Sequence, residues 1–209
     1  MKKHRKKIGK HMTKMYYDEN PDSAHDIHQL TVNLLGQSFT FLTDSGVFSK
    51  RMVDFGSQVL LNTLDFQEGD RLLDLGCGYG PLGLSLAKAQ GVEATLVDIN
   101  HRAVGLAKQN AESNQVEATI FQSNLYDGVT GTFEHIISNP PIRAGKKVVH
   151  EIIEKSIDFL TKGGDLTVVI QKKQGAPSAK DKMETVFGNV TILKREKGYY
   201  ILRSIKERN

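Results

Sequence analysis

A glycine-rich segment at residues 74–80, reading Asp-Leu-Gly-Cys-Gly-Tyr-Gly, constrains the fold of this chain more than any other feature. It ends a run at residues 71–77 that has the apolar pattern of a buried strand, and residues 82–90 after it have the pattern of a helix. Glycines at such a turn let the backbone approach a bound ligand closely. The segment therefore predicts an α/β domain that binds a ligand at the carboxyl end of a buried strand.

Strand-like and helix-like segments alternate through the rest of the sequence. Besides the two segments above, we predict strands at residues 94–99, 118–122, 133–138 and 165–171, helices at 101–114 and 148–160, and a last pair of strands at 190–195 and 199–205. This alternation predicts a Rossmann-like, mostly parallel sheet of seven strands. The last hairpin must place one C-terminal antiparallel strand in that sheet.

The N-terminal part of the sequence has a different pattern. Residues 27–43 contain two β-rich runs that meet near Gly36, which predicts a small β-hairpin cap within residues 26–50. Residues 51–64 then have helical spacing and should pack this cap onto a Rossmann-like core at residues 51–209. With 209 residues, 39% of them hydrophobic, the chain has room for one domain at residues 15–209.

The net charge of +4 comes from the first residues of the chain. Residues 1–11 hold six basic side chains and no acidic one; without these six, 22 basic residues face 24 acidic ones, a net charge of −2. We predict a basic, disordered tail at residues 1–14. It is either an arm that binds RNA phosphates or a leader added for expression, and we give it no functional weight.

The composition also bears on location and on metal binding. No stretch approaches the roughly 20 apolar residues that span a bilayer, and no apolar secretory signal is present, so we expect a cytoplasmic protein. The single cysteine, Cys77, excludes an internal disulfide and a cysteine-rich zinc site. His25 and His28 lack neighbouring ligand residues and are predicted to be surface side chains. We expect no metal site.

Two cofactors fit the glycine-rich segment. Gly78, Gly80 and Gly83 satisfy the dinucleotide pattern G-x-G-x-x-G, and Asp98 follows Gly78 by 20 residues, as a nicotinamide cofactor requires. Asp74, however, places an anion before the glycines, which suits an ammonium group better than a phosphate. S-adenosylmethionine has an ammonium group and no phosphate. The sequence therefore favours S-adenosylmethionine, although the loop alone fits NAD almost as well.

The same region provides the predicted contacts to this cofactor. Asp98 ends the next strand and can accept hydrogen bonds from ribose hydroxyls, and Ile99 can cover one face of the adenine. Asn124 closes a further strand, where its amide can read the adenine edge. The predicted cofactor-binding residues from these segments are Asp74, Gly76, Cys77, Gly78, Gly80, Asp98, Ile99, Asn124 and Leu125.

A second motif, Asn139-Pro140-Pro141-Ile142, follows the predicted strand at residues 133–138. An exocyclic amine is a poor nucleophile because its lone pair is delocalised. The Asn139 side-chain oxygen and the Pro140 carbonyl can accept its two N–H groups and favour the more nucleophilic, pyramidal nitrogen. We therefore predict these four residues as catalytic, with Asn139 also touching the cofactor, and N-methylation as the reaction.

These motifs resemble the class I methyltransferases that methylate guanine N2 in small-subunit ribosomal RNA. The resemblance covers most of the chain after residue 40 and includes the segment Gly-Val-Phe-Ser at residues 46–49. It implies that Phe48, Asp54 and Ser57 border the cofactor pocket. It also implies S-adenosylmethionine as cofactor and small-subunit ribosomal RNA, or the ribosomal subunit, as partner. The larger members carry an additional degenerate domain, so the likeness is to the catalytic half or to free-standing relatives.

The substrate is less sharply defined than the reaction. Ile142 stands where amino methyltransferases often have an aromatic residue that stacks on the target base. Five basic side chains near the predicted site are candidates for RNA phosphate contacts: Arg143, Lys146, Lys147, Lys172 and Lys173. Three alternatives stay open: methylation of a protein glutamine amide, a nicotinamide-dependent oxidoreductase, and a non-catalytic RNA-binding or ribosome-assembly module with a relic pocket. The predicted β cap argues against the first, whose enzymes usually carry a helical N-terminal domain.

Overall fold

The fold was analysed in a computed structural model, which describes residues 25–47, 52–140 and 145–207. Within these residues the chain forms nine strands and five α-helices. The strands are β1 (His28–Leu34), β2 (Gln37–Thr43), β3 (Arg71–Leu75), β4 (Glu93–Asp98), β5 (Thr119–Gln122), β6 (Phe133–Ser138), β7 (Leu160–Gln171), β8 (Thr191–Glu196) and β9 (Tyr199–Ile205). The helices are α1 (Phe55–Leu61), α2 (Pro81–Gln90), α3 (His101–Ser113), α4 (Lys146–Phe159) and α5 (Ala176–Phe187). No helix among the described residues is long and apolar enough to cross a membrane.

The main sheet confirms the predicted Rossmann-like architecture. Its seven strands lie in the order β5-β4-β3-β6-β7-β9-β8. All neighbouring pairs from β5 to β7 are parallel, and β9 is antiparallel to both of its neighbours. The C-terminal hairpin thus inserts its second strand between β7 and β8, as the turn between the last two strands required.

Alternate side chains of the strands enter two apolar layers. On one face, residues such as Leu72 and Leu96 pack in a cluster with residues of α1, α2 and α3 and of the cap. On the other face, residues such as Leu73 and Ile136 pack with α4 and α5. Burial of both faces is the reason that these strands are almost uniformly apolar.

The predicted β-hairpin cap is also confirmed. β1 and β2 pair antiparallel around a turn in which Leu35 and Gly36 both have positive φ. This small sheet is attached to α3 by two buried asparagines: Asn110 bonds both the amide and the carbonyl of Leu42, and Asn114 does the same for Thr40. Side-chain amides of a helix thereby replace the strand that β2 lacks on its outer edge.

Three element predictions need correction. The helix predicted at residues 51–64 spans only Phe55–Leu61, because the Asp54 carboxylate caps it by accepting hydrogen bonds from the amides of Gly56 and Ser57. The helix predicted at 148–160 begins two residues earlier, and β7 already starts at Leu160. Helix α5 was not predicted at all, because Gly175 and Pro177 were interpreted as part of a loop, whereas they stand at the helix start.

A buried histidine joins three strands at the amino end of the sheet. His135 on β6 bonds Asp165 through Nδ1 and Asp70 through Nε2, the latter at 3.0 Å, and its ring stacks on Phe66. Burial alone would lower the pKa of His135, but the two carboxylates outweigh it and hold the pKa above its usual value. The imidazole is therefore held in its charged form between two anions.

This arrangement predicts a pH-dependent stability. Because the folded-state pKa of His135 is raised, its contribution to the free energy of unfolding is complete below the unfolded pKa of about 6.5 and is lost as pH rises through the folded value. His135→Asn should lower the free energy of unfolding by about 3 kcal/mol at pH 6, since two carboxylates lose their shared cation. Urea unfolding from pH 5.5 to 9 would measure it. An unchanged pH slope in the variant would assign the dependence to other groups.

Candidate active site

The carboxyl ends of β3, β4 and β6 surround a cavity. β3 is followed by β4 on one side, and β6 pairs with β3 on the other, so the cavity lies where the strand order reverses, a usual ligand site in open α/β sheets. The wall includes eight residues at the ends of strands and in the loops after them, namely Gly76, Cys77, Gly78, Asp98, Ile99, Asn124, Leu125 and Asn139. All eight are predicted site residues.

The glycines of the loop after β3 have two different roles. Gly76 and Gly78 have φ of 74° and 58° and line the cavity, and a Cβ added at either one would meet no protein atom within 4 Å. A side chain there would thus project into open space beside the cavity. Gly80 does not line the cavity; a Cβ there would lie 2.8 Å from Leu84 Cδ1, so this glycine is needed for packing against α2.

Asp74 lies behind this loop and not in the cavity wall. Its side chain is fully buried, and its Oδ2 accepts a hydrogen bond from the Gly83 amide at 2.9 Å. Among the described residues no donor reaches Oδ1. Burial raises the pKa of Asp74 to about 7, the Gly83 amide opposing the shift and Asp98 adding to it. An ammonium group near the loop would favour the charged form of this carboxyl.

Asp98, at the end of β4, ties the loop to the neighbouring strand. Its Oδ2 accepts from the Gly78 amide at 2.8 Å and its Oδ1 from the Asn100 amide at 2.9 Å. Each oxygen keeps a further lone pair that can accept a hydroxyl hydrogen. Burial raises the pKa of Asp98 above its usual value, which the amides of Asn100, Gly78 and Ile99 oppose. The carboxylate is half-buried at the cavity wall and can bind a diol such as a ribose.

A clamp that was not predicted holds the loop after the cap over this cavity. Asn100 caps α3 and donates from Nδ2 to the Gly46 carbonyl, and Arg102 donates to the Ser45 carbonyl at 2.7 Å. The buried Asp44 lies 3.5 Å from the same guanidinium. These contacts bring Val47 into the cavity wall. They join residues more than 50 positions apart, which sequence patterns do not reveal.

Asn139 lies at the end of β6 with a defined orientation. Its Nδ2 donates to Asp54 Oδ2 and to Ser57 Oγ, both at 2.9 Å. No described residue donates to its Oδ1. The resemblance had placed Asp54 and Ser57 beside the cofactor pocket, and both line the cavity, but their contact with Asn139 was not predicted.

A second cavity adjoins the first at Asn139. Asn139, Pro140 and Tyr199 line both cavities, so the asparagine stands between them. The side chains of the second wall are largely polar and come from β7, the turn after it, α4 and α5: Lys146, His150, Gln171, Gln174 and Ser178. Tyr199 comes from β9, 60 residues after Asn139, and nothing in its local sequence marked it as a site residue.

The predicted RNA-binding cations lie around this second cavity. Lys146 and Lys147 are exposed in the first turn of α4, and Lys146 lines the cavity. Lys172 and Lys173 are exposed in a single 3-10 turn after β7, and the Lys172 amide bonds the Gly198 carbonyl of the β8–β9 turn. Lys197 in that turn is an additional exposed cation, with Nζ 4.6 Å from the centre of the Phe55 ring.

Several predictions lie outside the described residues. These are the basic tail at residues 1–14 and the four site residues Phe48, Pro141, Ile142 and Arg143. Within the described part of the chain, no cluster of His, Cys, Asp and Glu side chains could hold a metal ion.

Residues 38–203 match the family described as Methyltransferase small domain. The chain belongs to this family. The match spans β2 to β9 and therefore includes both cavities. This membership makes the protein an S-adenosylmethionine-dependent methyltransferase and decides against the nicotinamide alternative. The half-buried diol acceptor Asp98, the open glycine backbone and the unpaired Asp74 oxygen fit a cofactor with a ribose and an ammonium group.

Individual relatives of this methyltransferase agree with that assignment. It is 47% identical over 200 residues to the uncharacterized protein YbxB of Bacillus subtilis (strain 168), covering 93% of this chain and all of that protein. It is 33% identical over 198 residues to ribosomal RNA small subunit methyltransferase C of Erwinia tasmaniensis, covering 92% of this chain and 53% of the relative.

A solved structure shows the same fold. The 16S rRNA guanine N2 methyltransferase RsmC of T. thermophilus, in complex with AdoMet and guanosine, superposes with a TM-score of 0.81 at 27% identity. The superposition covers 90% of this chain and 52% of that one. This methyltransferase therefore spans about half the length of the ribosomal RNA methyltransferases that it matches.

Proposed function

We propose that this methyltransferase transfers the methyl group of S-adenosylmethionine to an exocyclic amine of an RNA base, with guanine N2 of small-subunit ribosomal RNA as the favoured target. The proposal rests on one observation. Asn139 lies between the cofactor cavity and a second cavity, with its Nδ2 bonded to protein and no described donor on Oδ1. An acceptor in that place can bind an amine at the junction.

The chemistry follows from the position of this acceptor. When bound, S-adenosylmethionine supplies a methyl group that is already activated on a sulfonium sulfur, so positioning matters more than acid catalysis. Asn139 Oδ1 and the Pro140 carbonyl accept the two N–H groups of the amine and turn its lone pair toward the first cavity. The nitrogen forms a bond to the methyl carbon as the carbon–sulfur bond breaks, and one N–H proton then passes to water. Positive charge grows on the nitrogen during transfer, so both acceptors bind the transition state more tightly than the substrate.

The second cavity has the chemistry of a nucleobase site. Gln171 and Gln174 offer both donors and acceptors, which suits the mixed edge of a purine. His150 bonds Ser178, and burial, followed by Lys146 and Lys182, lowers its pKa below the usual value. The imidazole is therefore neutral at pH 7 and adds a second neutral polar group. The ring of Tyr199 can provide the aromatic contact that Ile142 does not.

The charge around this cavity supports an RNA partner. Lys146, Lys147, Lys172, Lys173 and Lys197 are exposed near its rim, on three different elements. Phosphates of the nucleotides that flank a flipped-out base would meet these cations, and the binding should weaken as salt increases. Three relatives or structural neighbours act on RNA by their names, and one was solved with guanosine.

The decisive experiment uses cofactor that carries a tritiated methyl group. RNA and 30S subunits from cells that lack the enzyme should accept label, and nuclease mapping should place it on one guanine. Label in protein instead of RNA would favour the glutamine amide alternative. Tight binding of S-adenosylhomocysteine without transfer to any RNA or protein would support the relic-pocket alternative and defeat the proposal.

Tyr199 provides a more local test of the base site. Tyr199→Ala should raise the KM for RNA by about tenfold, because stacking of one base on an aromatic ring contributes about 1–3 kcal/mol. Tyr199→Phe should stay near wild type. Tyr200→Ala is the matched control, since the neighbouring ring lies on the opposite face of the sheet with α4 and α5. An unchanged KM in Tyr199→Ala would remove the ring from the base site.

A further inference from the structure

We propose that Asp54 and Ser57 are positioning residues that lock the Asn139 amide in the one orientation that serves catalysis. This inference rests on the proposed function, since it assigns Oδ1 of Asn139 to the target amine. It concerns a different question, namely what prevents this amide from turning over. An asparagine side chain that flips by 180° presents two N–H donors where it had presented an acceptor, and a donor repels an amine.

The backbone fixes the direction in which Asp54 can act. As the N-cap of α1, Asp54 accepts hydrogen bonds from the Gly56 and Ser57 amides on Oδ1, at 2.9 and 3.3 Å. Its other oxygen, Oδ2, is thereby turned toward Asn139. A carboxylate can only accept, so the group that faces Oδ2 must be a donor. For Asn139 this is Nδ2, at 2.9 Å.

Ser57 reinforces the same orientation. Its side chain is buried, and its hydroxyl donates its single hydrogen to Asp54 Oδ2. The hydroxyl oxygen is then left as an acceptor, and it receives the second contact from Asn139 Nδ2 at 2.9 Å. Both neighbours of Asn139 on this side are therefore acceptors. A flipped amide would place its oxygen against a carboxylate oxygen and a hydroxyl whose hydrogen is already used.

The orientation thus depends on charge and not on shape. Asparagine and aspartate have nearly the same size, and both are good N-caps. Replacing Asp54 by asparagine therefore keeps the helix cap but changes the atom that faces Asn139. The Gly56 and Ser57 amides still need an acceptor, so the new side chain must turn its NH₂ group toward Asn139. That donor would favour the flipped amide, with the Asn139 oxygen facing position 54 and its NH₂ facing the substrate.

This reversal makes a reciprocal exchange the sharpest test. Asp54→Asn should lower kcat by at least about tenfold with KM for RNA and affinity for S-adenosylhomocysteine little changed, because one transition-state acceptor is lost. Asn139→Asp alone should also be poorly active, since it sets two carboxylates against each other. The double variant Asp54→Asn/Asn139→Asp restores a donor at position 54 and acceptors at position 139. It should recover at least about tenfold over either single variant, a coupling that independent structural damage does not produce.

Two measurements keep the outcome interpretable. Thermal unfolding of Asp54→Asn should stay near wild type, because the cap is preserved; a large loss of stability would transfer the test to the double variant alone. Ser57→Ala should show a smaller loss of kcat than Asp54→Asn, since one acceptor remains. Full activity in Asp54→Asn, or a double variant no better than the singles, would overturn the lock.

A second readout separates this inference from the proposed function. In wild-type protein the Asn139 side-chain NH₂ signals, assigned by their loss in Asn139→Ala, should exchange slowly with solvent because both acceptors are protein atoms. In Asp54→Asn they should exchange faster, since the flipped NH₂ faces the cavities. If this difference is seen but no RNA is methylated, the lock stands and the proposed substrate is wrong. If RNA is methylated but the exchange rates are equal, the lock is wrong and the substrate stands.

Discussion

Replacing Asn139 by alanine is expected to reduce kcat for RNA methylation by about 10²- to 10³-fold, the loss seen when one preorganised hydrogen-bonding group of a transition state is removed. The reason is that Asn139 Oδ1 is the side-chain acceptor at the junction of the two cavities. Because the cofactor cavity has many other wall residues, affinity for S-adenosylhomocysteine should change by no more than about threefold, which corresponds to less than 1 kcal/mol.

The measurement combines initial rates of tritium transfer with calorimetric titration of S-adenosylhomocysteine. Asn33→Ala, which removes an exposed asparagine of the cap, is the matched control and should behave as wild type. Parallel loss of turnover and of cofactor affinity would give Asn139 a structural role in the cavity. Retained turnover would remove it from the reaction.

Asp98→Ala is expected to weaken S-adenosylhomocysteine binding by about 100-fold, because two hydrogen bonds to a charged acceptor contribute about 1.5–3 kcal/mol each. The effect has two sources. The ribose would lose its acceptor, and the amides of Gly78 and Asn100 would lose the group that holds the loop beside β4. The kcat at saturating cofactor should fall much less than the affinity.

Calorimetry at constant pH tests this directly. Glu112→Ala removes the same charge from the exposed surface of α3 and should leave the affinity unchanged. Asp98→Asn should lie between wild type and Asp98→Ala, since it keeps one acceptor oxygen. An affinity of Asp98→Ala close to that of wild type would place the ribose elsewhere in the cavity.

The sequence was sufficient for the architecture because the relevant signals are local. Apolar runs such as residues 71–77 and 133–138 gave β3 and β6 nearly at their observed bounds, and the glycines between β3 and α2 marked the cofactor loop. Asn139 could be predicted as a reactive group because it directly follows a strand. The cofactor assignment followed from the combination of both motifs.

The missed features depend on distance or on context. Helix α5 has buried residues at helical spacing, Ala176, Ala179, Met183 and Phe187, but two of these are small and Gly175 and Pro177 precede them as a loop would. The orientation of Asn139 depends on Asp54, 85 residues earlier in the chain. Tyr199 reaches the cavities only because β9 pairs with β7. Such contacts appear when strands are paired, and no local pattern encodes them.

The two asparagines of α3 decide how the cap can grow or associate. On the outer edge of β2, the carbonyl of Ser38 accepts from Lys88, and both backbone groups of Thr40 and Leu42 are occupied by Asn114 and Asn110. An edge strand usually offers these groups to a strand of another molecule. Here they are already used, so this edge cannot template an intermolecular sheet. A further strand could join the cap only along β1.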